Sequence, residues 1–275
     1  MSYAAPISRQ LSIPGHKVSA ALALFEEGAT IPFVARYRKE RTGGLDEVQL
    51  RSIAELRHKF HELRQRRDAI REAIEKQGRL GPELLRKLEA CATKAELEDL
   101  YAPFKKRRQT RAEKARARGL APLAELLLRQ PRQGSPRAEA RRYVDSGKGV
   151  PDAEAALSGA RDIVAENIAL EPARRGRIRR ELSKHGRMDA SFDEKAQNAA
   201  RFRDYRNHSE RVERMPSHRY LALCRGEEEG VLKLKLGMDL ERTLSQLLRG
   251  CRYHPRSPFG GEFELAAEDA LKRLL

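Results

Sequence analysis

The sequence predicts a mainly α protein: a multi-helix domain with helix-turn-helix-like packing, and one short strand or hairpin near the C-terminal part. Three observations predict it. Apolar residues recur at three- and four-residue steps through most of the 275 residues, the mark of amphipathic helices. Aromatic residues make up only 5% of the chain and Trp is absent, while Ala, Leu, Glu, Arg and Lys abound, a balance that favours helix over sheet. Only one stretch alternates with the period of a strand, where Val231, Leu232, Leu234 and Leu236 are interleaved with Lys233 and Lys235.

The elements follow in order. Val18, Ala21, Leu22, Leu24 and Phe25 lie on one face of a helix over Pro14–Glu27, which Gly28 can close. Thr30 and Pro32 then start a short helix through TIPFVARYRKE, in which Phe33, Val34 and Tyr37 are expected to face inward and Arg36, Arg38, Lys39 and Arg41 outward. After the Thr42-Gly43-Gly44 turn, Asp46 caps the longest helix, reaching to about Gln77 with Leu50, Ile53, Leu56, Phe60, Leu63, Ile70 and Ile74 on one stripe. Pro82–Ala92 is a shorter helix. Thr93 with Glu96 and Thr110 with Glu113 form two capping boxes. Gly119 stops the helix opened by Thr110, and Pro122 starts the next. Ser135 caps a helix through Val144, residues 152–170 form another, and Pro172 opens the very basic ARRGRIRRELSKHG. Residues 186–216 show weak periodicity. Ser217 is expected to cap HRYLALCRG, Asp239 a further helix, and ELAAEDALKRLL begins the last. The division expected is a helical domain over 1–185 and a smaller helical segment with a short strand over 186–275.

The formal net charge of +16 calls for a polyanionic partner, since like charge held together repels itself unless something offsets it. The densest run is Lys105, Lys106, Arg107, Arg108, Arg111, Lys114, Arg116 and Arg118, with Glu113 the sole acid among them and Tyr101, Pro103 and Phe104 just before it. Phosphate contacts are therefore expected from Lys105, Lys106, Arg107, Arg108 and Arg111. Arg36, Arg38 and Lys39 form a lesser patch, and Arg174–Arg180 a third. Such contacts confer affinity without sequence preference. The bland alternative is that these side chains are merely solvated or dock other protein surfaces.

Other chemistries find little support. His58 and His61 share a helix face with Glu62 adjacent, but no third metal ligand is recognisable. The consecutive carboxylates of Glu227, Glu228 and Glu229 point in different directions. No nucleophile elbow, phosphate-binding loop or dinucleotide fingerprint occurs, so no catalytic residue, metal or cofactor is expected. Cys91, Cys224 and Cys251 are widely spaced and read as reduced thiols of a cytoplasmic protein. No stretch is long and apolar enough to span a bilayer, so no membrane partner is expected. Residues 111–128 fit a helix-turn-helix, yet Glu125 is the only polar side chain of the would-be recognition segment PLAELLL. Base readout is not expected from it.

Four stretches carry a resemblance: GATIPFVARYRKERTGGLDE, LEDLYAPFKKRRQTRAEKARARGLAPLA, ALSGARDIVAENIA and DYRNHSERVERMPSHRYLALCRGEEEGVLKLKL. Their order and content resemble the Tex family of bacterial transcription accessory proteins. The resemblance implies a cytoplasmic factor associating with RNA and DNA, related in architecture to a eukaryotic elongation factor and histone chaperone. Family members continue into a ribonuclease-H-like domain regarded as lacking nuclease activity, helix-hairpin-helix modules and an OB-fold domain. The chain is thus expected to be the N-terminal portion, truncated before the ribonuclease-H-like domain. Over Arg187–Arg201, where the resemblance implies a Gly-led strand, the match is weak. The function expected is non-enzymatic, sequence-independent nucleic-acid binding and scaffolding. The alternative is a module docking onto RNA polymerase, the ribosome or further domains.

Overall fold

The computed structural model describes residues 3–105 and 110–275, and among them the chain is helical apart from one small sheet. Its contacts divide it into two compact units, Met1–Phe104 and Lys105–Leu275. This partition differs from the expected one at 185/186. The helix ending at His185 and the strand following it belong to the same unit, so the change from helical to strand-like pattern marks no boundary.

The first unit contains α1 (Ala4–Leu11), α2 (Gly15–Glu26), α3 (Ile31–Tyr37), α4 (Lys39–Thr42), α5 (Glu47–Glu75), α6 (Pro82–Ala90) and α7 (Lys94–Tyr101). The 29 residues of α5 make a rod of about 43 Å at 1.5 Å per residue. It threads two cores. Leu50 and Ile53 join Ile7, Val18, Leu24 and Val34 at one end. Leu63, Ile70 and Ile74 join Leu88 and Leu97 at the other. The start of α5 is fixed by a complete capping box: Asp46 Oδ1 accepts from the Gln49 amide at 2.7 Å, and Gln49 Oε1 accepts from the Asp46 amide at 3.1 Å. Gly43 and Gly44, at φ 66° and 83°, make the left-handed turn just before it. Arg67 ties α5 to the end of α6, donating to the carbonyls of Leu88 (3.0 Å), which also accepts from the Cys91 amide, and Cys91 (2.9 Å).

The second unit contains α8 (Arg111–Ala117), α9 (Ala121–Arg129), α10 (Pro136–Arg141), α11 (Ala153–Leu170), α12 (Pro172–His185), β1 (Arg187–Phe192), β2 (Ser209–Arg211), α13 (Ser217–Glu228), β3 (Leu232–Gly237), α14 (Leu240–Gly250) and α15 (Gly260–Leu274). Its organising element is α11. Ala156, Gly159, Ala160, Ile163, Val164, Ala165 and Ile168 are all buried, and α8, α9, α10 and α15 pack onto this small-residue surface. Phe259 and Phe263 fill the same core from the start of α15. The strands form an antiparallel sheet in the order β2-β1-β3, with Phe192 opposite Leu232 and Asp189 opposite Ser209. One face of it covers a satellite core of Ala190, Phe202, Leu223, Val231 and Leu232.

The mainly α fold is as expected, and the strand foreseen from Val231 to Leu236 is β3, one of the three strands of the small sheet. Several expectations need correction. The weakly matching segment at 187–201 opens as β1, directly after Gly186, as the family resemblance implied. Ser217 is the first helical residue of α13 rather than its cap; Pro216 takes the cap position and no side chain bonds there. Thr30 occupies the N-cap of α3 without a side-chain hydrogen bond. Of the three residues expected inward on α3 only Val34 is buried. Phe33 is 40% and Tyr37 63% exposed. A seven-residue helix has room for one inward stripe, and Ile31, Val34 and Ala35 occupy it.

Candidate nucleic-acid interface

The outward surface of α3 and α4 follows from that arrangement. With Val34 and Ala35 turned to the core, positions 33, 36 and 37 project together, because residues three and four apart share a helix face. Phe33 and Tyr37 lie with ring centroids 5.5 Å apart. Arg38 breaks the helix at φ −132° and folds back, its guanidinium 5.1 Å from the Phe33 ring centroid while Nη1 donates to the Tyr37 carbonyl at 3.2 Å. Arg36, Arg38 and Lys39 are exposed, and among the described residues none of the three has a carboxylate partner. Glu40, one turn beyond Arg36, makes no ion pair with it. Arg41 is different: it grips both oxygens of Glu27 at 3.0 and 3.1 Å, and that hydrogen bond holds the Glu27 carboxyl below the usual range. The surface therefore presents two aromatic faces and three cations without an ion pair in seven residues of sequence, Arg38 feeling Glu27 only at longer range.

The basic run behaves otherwise. Lys106, Arg107 and Arg108 lie outside the described residues. Lys105 is exposed. The capping box at Thr110 is formed, with the Thr110 hydroxyl and the Glu113 amide 3.0 Å apart and Glu113 Oε2 3.0 Å from the Thr110 amide. Arg111, though exposed, is engaged in ion pairs across the surface of the unit. It pairs with Asp162 of α11 at 3.2 Å and Asp269 of α15 at 3.3 Å, and Arg273 bridges the same two carboxylates. Arg116 is held by Glu166 at 2.6 Å and Asn167 at 3.1 Å. Both arginines, read as phosphate ligands or as part of a basic face, join α8 to acids that follow them by about fifty residues or more. Lys114 and Arg118 make no ion pair among the described residues.

The sequence-expected residues thus fall in different units, Arg36, Arg38 and Lys39 in the first and Lys105 and Arg111 in the second. Phe33 and Tyr37 were missed as surface groups. The signal was present: in IPFVARY two stripes compete, Ile31-Val34-Ala35 and Phe33-Arg36-Tyr37, and the one carrying a cation belongs outside.

The helix-turn-helix-like pair α8–α9 turns at Gly119 (φ 82°) and buries Ala112, Ala115, Leu123, Ala124 and Leu127. Glu125 pairs with Arg129 on its own helix at 3.3 Å. No group of three or more His, Cys, Asp or Glu among the described residues is placed to hold a metal. Glu62 is taken up by Lys94 at 2.8 Å, and that contact lowers its carboxyl pKa. Glu227 accepts from the Leu234 amide, while Glu229 accepts from Asn198. No described helix is long and apolar enough to cross a membrane.

Comparison with known proteins adds context to this geometry. A family model described as Tex-like protein N-terminal domain matches residues 1–75, and one described as Tex central region-like matches residues 131–256. The transcriptional accessory protein Tex of Neisseria gonorrhoeae is 41% identical over 238 residues, covering 86% of this chain and 31% of that protein. Protein tex of Bordetella pertussis is 42% identical over 238 residues, covering 86% of this chain and 30% of that protein. The S1 RNA-binding domain-containing protein 1 of Homo sapiens is 28% identical over 262 residues, covering 91% of this chain and 26% of that protein. The chain spans less than a third of the length of these relatives.

Proposed function

The chain belongs to the Tex family, and on that premise we propose that it is a non-enzymatic, sequence-independent nucleic-acid-binding and scaffolding part of a cytoplasmic transcription accessory factor. The observation that carries this reading is the α3–α4 surface. Arg36, Arg38 and Lys39 make no ion pair among the described residues, although Arg38 lies close enough to Glu27 to help lower its carboxyl pKa, and a phosphate backbone would neutralise their charge. Phe33 and Tyr37 add ring faces, on which bases of any identity stack for about 1–3 kcal/mol each. Phosphate and ring-face contacts of this kind carry no sequence information, so RNA and DNA would be held alike. The name of the human relative, which carries an S1 RNA-binding domain, is consistent with a nucleic-acid context for the whole protein.

A second reading is docking of a protein partner such as RNA polymerase or the ribosome. It is favoured by the exposed apolar side chains of Tyr220, Leu221 and Leu240 on the second unit. Retention of single-stranded RNA and duplex DNA at low salt separates the two. The nucleic-acid reading expects retention by the unaltered chain, and its loss when Arg36, Arg38 and Lys39 are changed to Glu. Changing Lys105, Lys106, Arg107 and Arg108 to Glu tests the basic run in the same way. Failure of the unaltered chain to retain either nucleic acid would leave the docking reading.

A further inference from the structure

The second unit holds a basic cleft of about 750 Å³ between the end of α9 and the loop leading into α15. Arg129, Arg132, His254 and Arg256 rim it, Pro131 and Pro255 give it flat apolar walls, and no carboxylate lines it. Arg129 has an exposed partner in Glu125, whereas Arg132, His254 and Arg256 pair with no acid among the described residues. Guanidinium groups gathered around one hollow without a counter-charge are a feature the core does not require.

The cleft is also built rather than incidental. Gln130 is 3% exposed and sits at φ 47°, a left-handed conformation unusual for a side chain of its size. Its Oε1 accepts from the His254 amide at 2.8 Å, and its Nε2 reaches the Arg252 carbonyl at 3.5 Å. Ser257, likewise buried, donates to the Pro131 carbonyl at 2.7 Å and accepts from the Phe259 amide at 3.1 Å. Phe259, 1% exposed, anchors this loop in the core. Arg252 adds a second left-handed residue at φ 55°. Two loops more than a hundred residues apart in sequence are thereby clamped wall to wall, with Gln130 as the left-handed C-cap of α9.

We propose that this cleft is a binding site for a phosphate-bearing ligand of the nucleotide class. The planar fork of arginine matches phosphate oxygens two at a time, and Arg132 and Arg256 both line this cleft without an acidic partner among the described residues. The proline faces suit the apolar plane of a base or sugar, and the volume falls within the range of small-molecule sites, about 300–1,000 Å³. A free nucleotide and the phosphorylated end of a strand offer the same chemistry. The site lies outside the α3–α4 surface, and the inference does not rest on the function proposed above.

The test uses the full chain and fluorescent ADP and GDP, read by anisotropy, alongside matched 5′-phosphorylated and 5′-hydroxyl oligonucleotides. The variant is Arg132→Gln with Arg256→Gln, two exposed positions whose change leaves the buried clamp intact, as an unchanged thermal melt would verify. Saturable binding of either nucleotide, weakened about tenfold or more in the double variant, supports a free nucleotide as ligand, given the strength of charge-assisted bonds to phosphate. A preference for the 5′-phosphorylated strand that disappears in the same variant supports a strand end. The 5′-phosphorylated and 5′-hydroxyl strands meet the α3–α4 surface alike, so only the difference between them reports on this cleft. The proposal is overturned if neither probe binds saturably, or if the double variant binds both as the unaltered chain does.

Discussion

Gly159 is one of the positions where the second unit leaves no room for a larger residue. It lies in the middle of α11, under the turn between α8 and α9. A Cβ placed there would stand 2.4 Å from Leu120 Cδ1 and 3.3 Å from Ala115 Cβ. Leu120 is fully buried and Ala115 nearly so, so neither can step aside without moving its helix. Overpacking of this kind costs about 1–3 kcal/mol. Alanine in a helix interior returns roughly 1 kcal/mol over glycine. The balance for Gly159→Ala is a loss of about 0–2 kcal/mol. Gly176 in α12 supplies the control. A Cβ there meets nothing closer than Arg180 Nη1 at 3.5 Å, the end of an exposed side chain, so Gly176→Ala should gain a few tenths to about 1 kcal/mol. Urea unfolding followed by circular dichroism reads both as shifts of midpoint in opposite directions at constant slope. A Gly159→Ala midpoint raised as far as that of Gly176→Ala would refute the close packing of α8 and α9 on α11.

Two further outcomes follow from the ion pairs. Glu166 is buried while its partner Arg116 is partly exposed, so the two truncations should differ. Arg116→Ala strands a carboxylate in the core and should cost about 2–3 kcal/mol, whereas Glu166→Ala leaves an arginine free to turn to water and should cost about 1 kcal/mol in the same urea assay. Equal losses would count against the inward placement of Glu166. The acid response has a definite sign. Hydrogen bonds from Arg41, Lys94 and Lys148 hold the carboxyls of Glu27, Glu62 and Asp145 below their ordinary values of 4.5, 4.5 and 3.8. A depressed folded-state value stabilises above the unfolded value and is lost as pH falls through the folded one. Stability should hold from neutral pH to about 5 and decline below, less steeply in high salt because these pairs are exposed; a rise between pH 5 and 3 would contradict the pairing.

What was legible in the sequence was what is local. The three capping signals at Asp46, Thr93 and Thr110 need only three residues of spacing, and all three boxes form. The long stripe of α5 announces itself because one face repeats over eight turns. α1 went unread, since its eight residues carry Pro6 and no side-chain cap. β1 went unread because the sheet is half-exposed: of its six residues only Ala190 is buried, so no alternation survives. The fate of Arg111 and Arg116 was beyond local reading for another reason. Their partners Asp162, Glu166 and Asp269 are placed by the packing of α8, α11 and α15, and no spacing rule joins residues so far apart. The surface role of Phe33 and Tyr37 lies between these cases. The pattern contained it, but an aromatic residue is counted inward by habit, and the short helix had already filled its inward stripe.

The central claim, that the exposed cations and rings of α3–α4 hold nucleic-acid backbones without reading sequence, is tested most directly by the salt dependence of binding. Each phosphate neutralised contributes about −0.7 to −0.9 to the slope of log K against log salt. Measured for single-stranded RNA and duplex DNA, the chain with Arg36, Arg38 and Lys39 replaced by Ala should show a slope shallower by about 2–3 than the unaltered chain, to a similar extent on unrelated sequences. A slope unchanged by the triple replacement, or a loss confined to one sequence, would contradict it.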